Sequence, residues 1–410
     1  MKPQKLALIV AGSVLGFFAV AGAAVCLTWN LSGTHRADRM AQQRPAQFAG
    51  WQNELPPMAP VVVDQDMPMD MRDLGMQMPG PGWNPGFGAA VAPDKLAEIR
   101  RPAAGDLKIT GPHRHDNLAL FLIHGPDTMK GKQVVTLHEA VKRGQAVVHD
   151  TGPMLAVENR SGSDLFIQSG DIVKGGNQDR SIQYDLLVPA NSGRVPLAAF
   201  CVEAGRSSPR GLEPGRVFGS ATDQLPGKRL RLAILQQHSQ QAVWQGVGKI
   251  QQDLKIKLGE SVQSSLSTTS LQLTLENNRL GQTVQNYLQE LSPILEGKQD
   301  VIGVVVAING RLHSADLYAS ADLFRALYPK LLKAAAIEAL AEPARAEAAP
   351  LPAAESIANW LAEADKGPAY QQTVNGRIHM IRQESPGNFQ FDTCDRNQDN
   401  LVVHRCVLVK

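Results

Sequence analysis

Cysteine is scarce in this 410-residue chain: Cys26, Cys201, Cys394 and Cys406 are the four, and no two form a CxxC pair. That excludes a disulfide-built scaffold, a zinc ribbon and a thioredoxin-like redox motif. An excess of either charge is also missing, since 41 basic and 39 acidic side chains leave a formal net charge of +2. With no Lys/Arg run either, the chain lacks the electrostatic footprint of a nucleic-acid binder, and no nucleic-acid partner is expected. Neither a Walker loop nor a GxGxxG between strand and helix is present, so two common glycine cradles for nucleotide phosphates are absent.

What is present begins with one long apolar run. Leu6 to Leu27 gives 22 residues without a charge. As a helix it would reach about 33 Å, enough for a hydrocarbon core of about 30 Å. Lys2 and Lys5 precede the run and the next arginine is Arg36, which places the N-terminus in the cytoplasm and the rest of the chain outside it. A cleaved signal peptide is the alternative, because Ala21-Gly22-Ala23 offers a small-residue site. The apolar run continues past that site to Cys26 and Leu27, which favours an uncleaved anchor in the bilayer over a soluble, secreted or periplasmic product. Both readings put the remainder on the extracytoplasmic, periplasmic side.

The organisation expected from the sequence is a signal-anchor helix in 1–30, a Met/Pro/Gly-rich disordered linker in 31–105 and a globular domain in 106–410. The linker shows no sustained period and too little packable surface to fold alone. It holds seven of the 11 methionines. Thioethers are soft ligands that suit Cu(I), and Met67, Met69 and Met71 would wrap one ion. No histidine or cysteine joins them, which favours an adaptable linker instead.

The domain reads as α+β, with one mixed or antiparallel sheet, because strand-like and helix-like runs follow each other without βαβ alternation. Strands are expected at LALFLI, MLAVEN, DLFIQ, SIQYDLLV and RVPLAAFCVE. Thr136 to Arg143, Ala242 to Leu258, Leu280 to Leu295 and Glu355 to Ala364 carry helical patterns, and Ser320 caps another helix. Asn309-Gly310 between VIGVVVAI and RLHSADLY marks a hairpin. Three further strands close the chain near Ile378, Phe389 and Val402.

Two stretches concentrate chemistry. In QSGDIVKGGNQDR, a strand enters the Gly175-Gly176 turn, and Gln178, Asp179 and Arg180 follow. Paired glycines let backbone N–H groups approach a ligand, and Lys174 and Arg180 would favour an anion there. In PLAAFCVEAGR, Cys201 and Glu203 share a strand face and Arg206 follows. Glu203 and Asp179 are candidates for acid–base work, and Cys201 for a nucleophile, although no local base accompanies it. The alternative is that these groups form structural ion pairs. Beyond them, Arg206, Arg210 and Arg216 stand among glycines, as in a flexible anion-binding lid. Cys394 and Cys406, on successive expected strands in an oxidising compartment, are candidates for a disulfide. No particular cofactor is indicated.

With these residues in hand, the chain resembles the ARG and Rhodanese-Phosphatase-superfamily-associated protein domain family. The resemblance rests on VENRSGSDLFIQSGDIVKGGNQDR, LLVPANSGRVPLAAFCVEAGR, the start of the helix at Gln240–Trp244, ADLYASADLFRALYPKLLKAAAIEAL and LVVHRCVLV. Matching positions are Gly170, Gly175, Gln178, Asp179, Arg180, Cys201, Glu203, Gly205 and Arg206. Ser207 stands where the family pattern has an aromatic residue, which removes a stacking contact for a base or sugar ring. The resemblance implies a single α+β domain of unestablished activity, associated by gene context with ADP-ribosylglycohydrolase and phosphatase-like proteins. The expectation is binding or processing of a small anionic, ADP-ribose- or nucleotide-derived ligand at Lys174, Gly175, Gly176, Gln178, Arg180 and Arg206. The competing expectation is a non-catalytic envelope scaffold that engages a protein partner.

Overall fold

Val301–Ile308 carries no polar side chain and is buried along its whole length. Such a strand needs cover on both faces, and its two sets of side chains find different partners. Val304, Val306 and Ile308 join a core with Leu323, Phe324 and Leu327 of helix Ala321–Ala341, while Ile302, Val305 and Ala307 join Ile357 and Ala364 of helix Ala354–Ala364. The turn to its partner strand Arg311–Tyr318 is Asn309-Gly310, with φ of 52° and 74°. Positive φ at both turn positions gives the twist that a tight hairpin requires.

The computed structural model describes residues 88–102, 104–129, 131–152, 154–213, 215–221, 224–343 and 350–410. The expected anchor Leu6–Leu27 and Met67, Met69 and Met71 lie outside them. Among the described residues no helix is long and apolar enough to cross a membrane, and no group of His, Cys, Asp and Glu is placed to hold a metal ion.

The hairpin sits inside a nine-stranded, wholly antiparallel sheet. Its order runs Ala89–Ala90, Ala369–Thr373, Ile378–Glu384, Asn388–Asp395, Leu401–Val409, Arg311–Tyr318, Val301–Ile308, Leu118–His124 and Lys108–His115. Residues 134–221 form a second, β-rich lobe of three small sheets around Leu137, Val157, Ile167 and Val188. Phe166, Ile172 and Leu187 of that lobe belong to the main core, so the lobe is packed on the helical face of the large sheet. Truncating one such aromatic, as in Phe166→Ala, costs about 3–5 kcal/mol.

Local signals set the helix ends. Thr136 and Glu139 form a reciprocal capping box for Leu137–Lys142, which satisfies otherwise orphaned N–H groups. Ser239 caps Gln240–Leu258, Gly259 ends it with φ of 74°, and Ser320 caps Ala321–Ala341. Two expected strands are each split. SIQYDLLV becomes parts of Arg180–Ile182 and Leu186–Val188 in different sheets, and RVPLAAFCVE becomes Arg194–Leu197 and Ala199–Cys201, also in different sheets.

The expected disulfide is corrected by the register. Cys394 pairs with Val402, whereas Cys406 pairs with Phe391. Cys394 packs with Ile381 and Val402, and Cys406 packs in the main core with Phe391 and Val403. Alternating side-chain direction puts the two thiols on opposite faces of one sheet. Both are free.

Candidate functional site

The QSGD segment turns back on itself. Asp171 accepts the Gln168 N–H at 2.9 Å through its side chain, and the Gly170 N–H donates to the Ile182 carbonyl at 2.8 Å. Asp171 is buried and pairs with the buried Lys330 of helix Ala321–Ala341. The Ser169 N–H donates to Asp185 at 2.6 Å, and Asp185 in turn holds His404 of the large sheet. An unpaired buried carboxylate would be prohibitively costly, and Asp171 is matched by Lys330 as Asp185 is by His404. The most distinctive sequence stretch therefore fastens the β lobe to the large sheet.

Eight residues after Asp171 comes Asp179, which like Glu203 has no exposed surface, and two arginines cross-link the pair. Arg210 grips Asp179 through both terminal nitrogens, at 2.9 and 2.6 Å, and reaches Glu213 at 3.0 Å. Arg206 meets Glu203 at 2.7 Å and donates to the carbonyls of Gly176 and Ser208 at 2.8 and 2.6 Å. Burial works to raise the Glu203 carboxyl, but hydrogen bonds from Arg206, Ser267 and the Asp179 N–H outweigh it and hold it below its usual range. The Arg210 guanidinium is pushed further up, since the bonds it donates to Asp179 and Glu213 outweigh its own desolvation. Gly175 and Gly176, with φ of 117° and 55°, curl around Asp179, which accepts the Gly175 N–H at 3.0 Å.

Asp179, Glu203 and Arg206, singled out from sequence, are thus brought together, along with Gly175 and Gly176. Lys174 pairs instead with Glu276 at 2.6 Å. Arg180 lies against the Cys201 sulfur, and burial pushes that thiol up, against the pull of Arg180. The loop that reads as a flexible lid is pinned by Arg206 and Arg210. Its clasp continues through Ser270, whose hydroxyl donates to Asp179 at 2.8 Å and caps helix Leu271–Leu275.

That short helix forms a wall of a cavity of about 390 Å³, lined also by Lys228, Arg229, His313, Ile337 and Glu338. Helix Lys228–Leu235 opens into it with Gly227 at its N-cap, which supplies no side-chain bond. The missing cap comes from across the cavity, where Glu338 accepts the Lys228 N–H at 2.7 Å. Gly227 allows this approach, because an added Cβ would stand 2.4 Å from the Glu338 oxygen. Burial raises the Glu338 carboxyl to about 7 despite Lys228, its backbone N–H and Arg231. Burial also lowers His313 to about 3, aided by Lys228 and Arg231. The Lys228 ammonium is shifted down by burial, against the pull of Glu338 and Glu342.

Several titratable groups perturbed by burial on one cavity wall make this the strongest candidate site. His313 lies 3.1 Å from Glu338 and 3.3 Å from the Ser314 hydroxyl. Ser314 is buried and does not line the cavity, so this series presents no nucleophile there. The arrangement suits anion binding: a helix N-terminus, Lys228 and the exposed Arg229 meet at one end. Sequence reading missed this site. The apolar spacing in KRLRLAIL signals its helix, but nothing local links His313 to Glu338.

Comparison with known proteins places most of the domain in a described family. The family model described as ARG and Rhodanese-Phosphatase-superfamily-associated Protein domain matches residues 106–408. No curated protein and no solved structure matches the chain.

Proposed function

Because the chain belongs to this family, whose description names no reaction, we propose from the geometry that its domain is a receptor for a small anionic ligand. On this reading the Leu6–Leu27 helix tethers it to the membrane with the domain on the extracytoplasmic side. The ligand sits in the cavity between helices Lys228–Leu235 and Ala321–Ala341. One observation carries the reading: a helix N-terminus facing this cavity has no cap of its own and takes one from Glu338, a carboxyl whose pKa lies near neutrality. An incoming anion would replace that carboxylate on the Lys228 N–H and gain the Lys228 and Arg229 side chains. The Asp179–Glu203–Arg206–Arg210 clasp acts at a distance, by setting the wall helix Leu271–Leu275.

The test is calorimetric titration of the full chain in nanodiscs with sulfate, inorganic phosphate and ADP-ribose, repeated on Lys228→Ala. Binding to the wild type with a loss of roughly tenfold in the variant supports the reading, a loss equal to about 1.4 kcal/mol. No binding by any of the three anions sinks it.

A second reading, a non-catalytic interaction module, draws on Leu212. It is fully exposed within the loop that Arg206 and Arg210 pin, where its side chain is open to a protein partner. Site-specific cross-linking from position 212 tests it; an absence of any adduct in the envelope removes it.

A further inference from the structure

We infer a second ligand site on the opposite face of the large sheet, shaped for a single-chain amphiphile with an anionic head. It goes beyond the anion cavity and does not depend on it. Helix Ala354–Ala364 buries only Ile357 and Ala364 fully, so it rests on the sheet without closing the space beneath. The result is a cavity of about 340 Å³ walled by Leu107, Ile109, Ile302, Leu317, Leu361 and Val402. Pockets for small molecules have this composition, an apolar body with a few convergent polar groups.

The polar groups are at one end. Arg101, Arg405 and Asp365 line it, giving two cations and one anion on the wall. Asp365 is shared: Arg101 reaches it at 3.0 Å and Arg405 at 2.8 Å, with its side chain 30% exposed. The second carboxylate, Asp392, is 1% exposed, does not line the cavity and lies 2.8 Å from Arg101 and 3.9 Å from Arg405. A carboxylate head entering from the cavity would meet both guanidiniums beside Asp365, Arg101 being the most exposed of the group at 33%. Bidentate geometry makes guanidinium the better group for that contact. The chain of the amphiphile would lie along Ile302, Leu317 and Leu361, replacing water on apolar wall.

The experiment uses the full chain in nanodiscs and a photoreactive diazirine analogue of dodecanoate, with labelled peptides identified by mass spectrometry. The expected result is labelling in 354–366 or 301–318, competed by dodecanoate. Dodecanol should compete at least about tenfold more weakly, because it lacks the charge that the arginines engage. Ala358→Trp, which fills the cavity, should abolish the labelling. No competed labelling of these peptides overturns the site. Equal competition by dodecanol on the wild type overturns the anionic head, and this arm stands even if Ala358→Trp fails to fold. Unchanged labelling in a folded Ala358→Trp protein also overturns the site.

Discussion

Asp185 and Asp316 hold the two ring nitrogens of His404, at 2.7 and 3.0 Å, and none of the three has more than 3% of its side chain exposed. Arg231 completes the group on Asp316 at 2.6 Å, and Tyr318 stacks on the imidazole with ring centroids 4.4 Å apart. Burial works to lower His404, but the two carboxylates outweigh it and raise it to about 9. A raised histidine binds its proton more tightly in the folded state. Its stabilisation is complete below the unfolded value of about 6.5 and is lost as pH rises to about 9, a span worth about 3 kcal/mol. Glu338, raised to about 7, acts in the same direction from about pH 4.5 upward. Asp316 has the opposite sign: burial would raise it, but Arg231 and His404 hold it low, so its contribution disappears only in acid. Urea unfolding should therefore show stability falling from pH 6 to 9. His404→Gln should be less stable at pH 6 and flatter above it. A wild type equally stable at both ends would contradict this account of the network.

The clasp makes a separate prediction. Arg210→Ala leaves Asp179 buried with Ser270 and one backbone N–H, and with Arg206 no nearer than 3.7 Å. Removing one partner of a buried pair costs about 3–5 kcal/mol. Chemical denaturation should show a loss in that range, and Asp179→Asn in the same background should recover part of it. A loss below about 0.5 kcal/mol would mean the pair contributes as little as a surface contact.

How much of this was legible depends on distance along the chain. Asn309-Gly310, the Thr136–Glu139 capping box and the Ser320 cap are local, and each element they signal is present. The convergence of Asp179, Glu203 and Arg206 was readable because a turn and a strand end carry all three. Arg210 was visible too, but whether it waved in solvent or gripped Asp179 was not, since that depends on burial. His404 and Asp185 are 219 residues apart, so their contact comes from the packing of the lobe on the sheet. His313 and Glu338 meet because a strand and the following helix fold face to face. The splitting of RVPLAAFCVE was hidden because both halves satisfy the same strand pattern.

The cysteines offer a check on the corrected pairing. Burial pushes the Cys394 and Cys406 thiols well up, and a neutral, covered thiol reacts slowly. Alkylation of the native protein followed by peptide mass spectrometry should mark the half-buried Cys201 before either of them. Denaturation without reductant should then expose both to label. If they label only after reduction, the two strands are bridged and the register described above is wrong.

The anion cavity predicts a pH dependence with a definite sign. Sulfate keeps its charge from pH 6 to 8, so any change in its affinity belongs to the protein. Above about pH 7 Glu338 is ionised; it occupies the Lys228 N–H and repels an incoming anion. Below that value it is protonated and yields the helix N-terminus. His313, held to about 3, stays neutral throughout and adds no slope. Glu342 also lines the cavity, but it is exposed and does not reach the helix N–H. Sulfate affinity should thus rise as pH falls from 8 to 6, by up to about tenfold for one proton taken up over one pH unit. Glu338→Gln should bind at least as tightly as the wild type at pH 6 and show no slope. A slope that persists in Glu338→Gln assigns the proton to another group. Tighter sulfate binding at pH 8 than at pH 6 contradicts displacement of the Glu338 carboxylate as the binding step.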